Sequence, residues 1–447
     1  MTFVLTVDVD PLPPERYASV LNPTQVEAFQ NALGSAGSVF EGRSVWNANS
    51  TSVGGGVAEM LRSLLAYARG AGVDAKWAVI SGNPEFFEVT KRIHNHLHNF
   101  AGDGGALGDE ERVKYEAALR PNAEEFEAVV GPRDVILLHD PQTAGLIPGL
   151  KRVGLPVRPY VAQADADVFS RRSFVWEQLE ASKTNLIAPS IDVFSPKNFD
   201  LDAATVTAIL NASGVVEDGS STAEPVFTRQ HGRPGRVERR DEVFQDASPT
   251  AADRLVVQVS RWDSLKDPIG VIDGFARYVA PESDAHLVYA GPAVEAVSDD
   301  PEGGEVLRTA IAHWRQLPEA QRRRTHLACL PMADGEENAA MVNALQRRAY
   351  VVVQKSIAEG FGLTVAEAMW KGRPVVASRI GGIQDQIEDG VTGILLGDPT
   401  DLEAHGEVVL SLLRDEPRAS ATGAAAMERV REEFLGTRSL LQYMTLM

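Results

Sequence analysis

Two glutamates, Glu359 and Glu367, stand eight positions apart around Gly360-Phe361-Gly362-Leu363-Thr364. A pair of carboxylates can exchange protons with a substrate or grip its hydroxyl groups. The glycines between them let backbone come close to a ligand. The apolar run from Leu363 suits a helix whose first N–H groups are open to an anion. A strand-to-helix connection with two surface acids would look the same, so the spacing alone does not decide. Arg261 and Lys266 flank Trp262-Asp263-Ser264-Leu265. Two cations on one loop can clamp a diphosphate. The triple glycine Gly54-Gly55-Gly56 precedes an apolar-faced helix, which again exposes N–H groups at a positive helix end. It is not a dinucleotide fingerprint, because neither the glycine spacing nor the acidic residue after the next strand is there. Asp140 sits in His139-Asp140-Pro141-Gln142-Thr143, directly after an apolar run. It can meet a ligand at a strand end, cap the helix that Pro141 begins, or do both.

Strands and helices must position these groups. Apolar runs at residues 44–49, 76–80 and 134–138 alternate with helical patterns in the first half, and those at 255–259, 286–290, 325–330, 349–353 and 374–377 do so in the second. That pattern predicts an α/β chain of two doubly wound, Rossmann-like domains facing a cleft. At 447 residues the chain is too long for one ordinary core. The expected division is an N-terminal domain at 1–248, a second domain at 249–432, and a C-terminal helix at 433–447 that can return to the first domain. Residues 211–253, polar and rich in Arg and acids, read as a connecting loop.

The formal net charge of −19 argues against a nucleic-acid protein and against binding to an anionic membrane. Any phosphate site must therefore be local. With one cysteine, Cys329, there is neither a disulfide framework nor a thiolate metal cluster. His94, His96 and His98 read as solvated helix groups, and no metal site is expected there. Without a leader-like start or a membrane-length apolar run, the expected location is the cytoplasm.

Taken together, these residues resemble the retaining GT-B glycosyltransferases, whose E-x7-E motif Glu359 and Glu367 match and whose post-strand Arg/Lys pair Arg261 and Lys266 match. Residues 47–60, 82–91 and 343–347 are similar, more narrowly, to trehalose synthases (glycosyltransferring) and trehalose phosphorylases. The resemblance covers nearly the whole chain. It implies transfer of glucose from a nucleotide-sugar (NDP-glucose) donor to glucose, forming trehalose reversibly with retention at the donor carbon. Glu359, Arg261 and Lys266 would then be catalytic. Gly55, Gly56, Asn343, Gln346, Gly360, Leu363, Thr364 and Glu367 would bind the donor, and Asp140 the acceptor. The reaction would need no metal, with Mg at most an activator, and a homodimer is compatible with it. Trehalose phosphorylase, with phosphate in place of NDP, is the alternative.

One stretch departs from the family. After Leu155-Pro156-Val157 the family carries a strand and a loop with a histidine that contacts the transferred sugar. Here only nine residues separate Val157 from Asp167, and none matches that histidine. A parallel crossover normally needs a dozen or more residues. Either the crossover is unusually tight or part of a strand–helix unit is missing, and the latter would leave a catalytically impaired sugar- or nucleotide-binding homologue as a further alternative.

Overall fold

Four strands form the first sheet: β1 (Val4–Val7), β2 (Ser44–Asn49), β3 (Asp74–Ile80) and β4 (Val135–Leu138). A computed structural model describes residues 3–53, 56–98, 100–147, 161, 163–177, 179–217, 222–294 and 302–447. In it β2 runs parallel to both β3 and β4, and β1 closes the far side of β3 antiparallel. Every residue of β2 is buried, as a parallel strand covered on both faces must be. Helices α1 (Pro23–Val39), α2 (Gly56–Gly70), α3 (Pro84–Leu97) and α4 (Asp109–Val129) alternate with these strands. The core is aromatic. Trp46 meets Phe126 edge to face at 5.4 Å, and Phe86 stacks on Tyr115 at 5.6 Å. The C-terminal helix Gly436–Leu446 belongs to this unit and packs on α1 and α2.

A short parallel pair, β5 (Asp167–Phe169) and β6 (Thr184–Leu186), follows. The short stretch after Val157 lies outside the described residues up to position 160.

The second unit holds residues 191–294 and 302–435, so the chain divides at 190/191 rather than at 248/249. Its elements are α5 (Ala203–Ser213), the antiparallel pair β7 (Val226–Thr228) and β8 (Pro234–Arg236), β9 (Glu242–Phe244), β10 (Leu255–Val259), α6 (Pro268–Gly274), β11 (His286–Pro292), α7 (Gly303–Arg315), β12 (Thr325–Leu330), α8 (Gly335–Arg348), β13 (Ala349–Gln354), α9 (Leu363–Trp370), β14 (Val375–Ser378) and β15 (Ile394–Leu396). Residues 211–253 are thus not simply a loop. They supply the β7/β8 pair and an edge strand, β9, antiparallel to β12. Polar contacts hold this region, and the segment 191–199 before α5, to α8. Asn343 Nδ2 donates to the carbonyls of Pro196 and Phe199 at 3.0 and 2.8 Å. The Glu337 carboxylate accepts the backbone N–H groups of Glu238 and Arg239, both at 2.7 Å. In sequence Asn343 reads as an exposed helix residue.

The strand order is β15-β14-β13-β10-β11-β12-β9, parallel throughout except for β9. From β10 the chain builds outward through β11 and β12, then returns to build the other way from β13. The order therefore reverses between β10 and β13. Loops leaving the carboxyl ends of two such strands diverge to opposite faces and open a crevice. None of the described helices is long and apolar enough to cross a membrane.

Candidate active site

The two loops at that reversal carry Arg261 and Lys266, after β10, and residues 355–364, after β13. Lys266 Nζ donates to Glu359 Oε2 at 2.5 Å, and each side chain is 14% exposed. Strand order thus joins two groups 93 positions apart in sequence. The Arg261 guanidinium, one-third exposed, lies 3.3 Å from Asp263 Oδ2. Asp263 is buried and accepts the Leu265 N–H at 2.8 Å, which shapes the turn leading to Lys266. The fully buried Lys355 ammonium pairs with the Asp267 carboxylate. Asp267 holds a left-handed backbone at φ +50° and caps α6 through the Gly270 N–H. Such a conformation persists in a non-glycine residue only where its surroundings enforce it.

Buried amides and hydroxyls lock the strand ends beneath these loops. Gln354 Nε2 reaches Ser260 Oγ and Ser356 Oγ, both at 3.0 Å, and Thr364 Oγ1 donates to Gln354 Oε1 at 3.0 Å. The Lys355 N–H donates to Gln258 Oε1 at 3.1 Å. A fully connected buried network of this kind specifies one geometry.

Gly362 starts α9 with φ +86°, a conformation open to glycine. The first-turn N–H groups of a helix, here those of Leu363 and Thr364, have no preceding helix carbonyl to meet and suit an anion. Gly381 lies under the loop, and a Cβ there would stand 1.8 Å from the Glu359 carbonyl oxygen. The Gly382 N–H donates to the Gly360 carbonyl at 2.7 Å. Glu367, one turn into α9, is 4% exposed, with Lys197 Nζ 3.8 Å from its Oε1.

The structure pairs Lys266 with Glu359, sets Arg261 on the same loop as Lys266, and sets Gly360, Leu363, Thr364 and Glu367 on the loop and helix around and after Glu359. It places Asn343 and Gln346 differently from ligand-facing groups. Both are fully buried, and their amides are engaged inside the unit. Gln346 Nε2 donates to the Thr364 carbonyl at 3.2 Å, while its Oε1 accepts from Lys371 Nζ at 2.8 Å. They act on a site through what they hold in place. Burial drives the Lys371 ammonium well below its usual range, and the Glu367 charge opposes that shift.

In the first unit Gly55 lies outside the described residues, and Gly56 is the first residue of α2. Asp140 has a positive φ of +64° and is the first residue of the short helix Asp140–Thr143, so the N-cap position falls on His139 rather than on Asp140. His139 beside it is half-buried, with Nε2 2.9 Å from Asn47 Oδ1. Burial brings its pKa down to about 4, so the ring is neutral near pH 7 and can donate from Nε2. Asp140 and Asp267 are the two positive-φ non-glycine residues among those described. His94 and His98 in fact stand four apart, with rings 4.7 Å from each other, but no group of three or more metal-ligating side chains forms among the described residues.

Lys197, Lys355 and Asp267 were not singled out from sequence. For Lys355 a signal exists, since a lysine directly after the buried run at 349–354 must find a partner.

Comparison with known proteins agrees with this architecture. Residues 47–188 match the model of the trehalose synthase N-terminal domain, and residues 239–429 match that of glycosyl transferases group 1. A trehalose synthase of Pyrococcus horikoshii is 32% identical across 97% of this chain and 95% of that protein. One from Rubrobacter xylanophilus is 34% identical across 89% and 88%. A trehalose phosphorylase of Grifola frondosa is 27% identical across 89% of this chain but only 56% of that protein. Among solved structures, a UDP-forming α,α-trehalose-phosphate synthase from Burkholderia vietnamiensis superimposes with a TM-score of 0.62 at 14% identity, over 89% of this chain and 96% of that one. At that identity the likeness speaks for the fold.

Proposed function

Because the chain belongs to the trehalose synthase family of GT-B glycosyltransferases, we propose that it moves glucose from an NDP-glucose donor to the anomeric hydroxyl of free glucose, forming α,α-trehalose reversibly and with retention. The observation that carries this reading is the Lys266–Glu359 contact at 2.5 Å, set at the strand-order reversal beside the N-terminus of α9.

In the forward direction the bond between the donor C1 and the diphosphate oxygen breaks, and a bond from C1 to the acceptor oxygen forms on the same face. The acceptor proton passes to the departing phosphate oxygen, so no protein base is required. The largest developing charge is on the diphosphate. Lys266 and Arg261 neutralise it, and the Leu363 and Thr364 N–H groups add donors aimed at the same anion. Glu359 meets the hydroxyls of the transferred glucose and is held by Lys266 against rotation. Glu367 takes the ribose hydroxyls. Gly360 lets the loop approach the sugar, while Asn343 and Gln346 fix the surroundings of Glu367. In the first unit, Gly55 and Gly56 contribute amides to the donor, and Asp140 is the acceptor residue. The two cations assume the charge role that a metal would otherwise serve, and Mg acts at most as an activator.

The test is to incubate the protein with glucose and each of ADP-, GDP- and UDP-glucose, with and without EDTA, and to assay trehalose and NDP. A parallel arm supplies trehalose with inorganic phosphate. Trehalose from any donor supports the reading. Glucose 1-phosphate from the phosphate arm alone would replace it with phosphorolysis, which the Grifola relative makes a definite rival. Nucleotide binding without product would assign the chain to binding only.

A further inference from the structure

Glu367 receives a cation from an unexpected place. Lys197 lies in the irregular segment 191–199, 170 positions before Glu367 in the sequence. Its side chain is 14% exposed. Free loops carrying lysines are usually mobile, and ordering one on binding costs conformational entropy. This segment is fastened in advance. Asn343 holds the carbonyls of Pro196 and Phe199, the residues on either side of Lys197 and Asn198. Arg347 Nη2 donates to the Phe199 carbonyl as well, at 2.9 Å. Lys371 Nζ donates to Asn198 Oδ1 at 2.8 Å and to the Glu367 carbonyl at 3.1 Å. One buried ammonium therefore ties the residue next to Lys197 to the helix that carries Glu367. Asn198 Nδ2 turns back to the Asp192 carbonyl at 2.9 Å, which closes the segment on itself.

That is much internal bonding to present a single lysine at a single carboxylate. An ionised carboxylate accepts hydroxyl hydrogen bonds strongly, and a fixed cation beside it offsets its removal from water and limits its rotation. We propose that Lys197 is a further residue of the donor site, which orients the Glu367 carboxylate toward the ribose hydroxyls and so selects a ribonucleotide. This rests on the donor reading given above and adds the residue that sets sugar specificity within the nucleotide. Lys197 is a positioning residue that acts through Glu367.

The test uses calorimetric titration of the full chain with ADP, GDP and UDP. The tightest of these is then compared with its 2′,3′-dideoxy counterpart. The native protein is expected to bind the ribose form about ten-fold or more tightly, because a polar site rejects a ligand lacking its hydroxyls. In Lys197→Met the ratio falls to within roughly three-fold, while Lys197→Arg retains much of it. A merely structural role would weaken both nucleotides alike and leave the ratio unchanged, and that result overturns the proposal. Lys197→Gln, monitored by thermal melting, replaces the Met variant if the latter does not fold. If the native chain binds none of the three nucleotides, the donor reading itself fails and takes this assignment with it. If the native chain discriminates and the Met and Gln variants discriminate equally well, only the Lys197 assignment falls.

Discussion

Lys355→Met tests the idea that a buried ion pair sets the shape of the diphosphate loop. Lys355 is 0% exposed and its partner Asp267 is 22% exposed. Methionine keeps most of the lysine stem volume, so no large cavity opens and the loss is mainly electrostatic. Breaking a buried pair by removing one partner costs about 3–5 kcal/mol. Asp267 reaches some solvent and keeps the Gly270 N–H at 3.0 Å. Those two facts place the expected loss at the lower end, about 3 kcal/mol. Asp267 also holds a left-handed backbone that costs roughly 1–2 kcal/mol in a non-glycine residue. Without Lys355 it is free to relax, and Lys266 immediately before it moves too. Guanidinium unfolding should therefore show the second unit destabilised by about 3 kcal/mol, and nucleotide titration should show affinity reduced by about ten-fold. Adding Asp267→Asn to the Met variant removes the orphaned charge and should recover a large part of the stability. A Met variant within about 0.5 kcal/mol of the native chain, or a double variant no more stable than the single, would refute the reasoning.

The remaining predictions concern the loops and one buried acid. Arg261→Ala should lower kcat/KM for trehalose formation by about 10²–10³, since it removes a cation aimed at the developing diphosphate charge. Native-like rates in that variant would remove Arg261 from the site. Glu367→Ala should raise donor KM by about ten-fold or more while leaving glucose KM unchanged, and steady-state kinetics with each substrate varied separates the two effects. Gly381→Ala should cost about 2 kcal/mol or more and impair turnover, because its Cβ would collide with the Glu359 carbonyl and its φ is +46°. A variant with unchanged thermal midpoint and activity would contradict that contact. Asp241 gives a pH test. Burial pushes its carboxyl up to about 8, with Ser213 opposing the shift and the Glu337 charge adding to it. The folded chain therefore keeps a proton that the unfolded chain releases near pH 3.9, so this group's contribution is fully present below about pH 4 and is lost as pH rises to about 8. Asp241→Asn should flatten that slope and raise the thermal midpoint at pH 8, and parallel midpoint-versus-pH curves for the two proteins would refute the shift.

Much of the fold was legible locally. Near-continuous Val, Ala and Leu runs such as 255–259 and 349–353 mark parallel strands, and each is followed by a helix pattern. Gly360 and Gly362 mark a tight loop before a helix, and a lysine five residues after an arginine on one loop marks a cation pair. These readings depend on residues within a turn or two of each other, so periodicity and composition suffice. The E-x7-E spacing placed Glu359 in the loop and Glu367 in the helix that follows.

Other features depend on contacts between distant positions. The 190/191 division came from α5 packing on α8, from β9 pairing with β12, and from bonds of Asn343 to residues 196 and 199 and of Glu337 to residues 238 and 239 that polarity alone disguises. Asn343 and Gln346 look like exposed helix amides, yet each lies fully buried where its hydrogen bonds are satisfied internally. By itself the sequence determined which residue types could handle a diphosphate and sugar hydroxyls, because chemistry resides in side chains. That Lys266 meets Glu359, Lys355 meets Asp267 and Lys197 meets Glu367 was decided only by the tertiary structure. The physical reason is that strand order, and the packing it enforces, brings those groups within reach across roughly 90 to 170 residues of intervening chain, a separation at which local pattern carries no information.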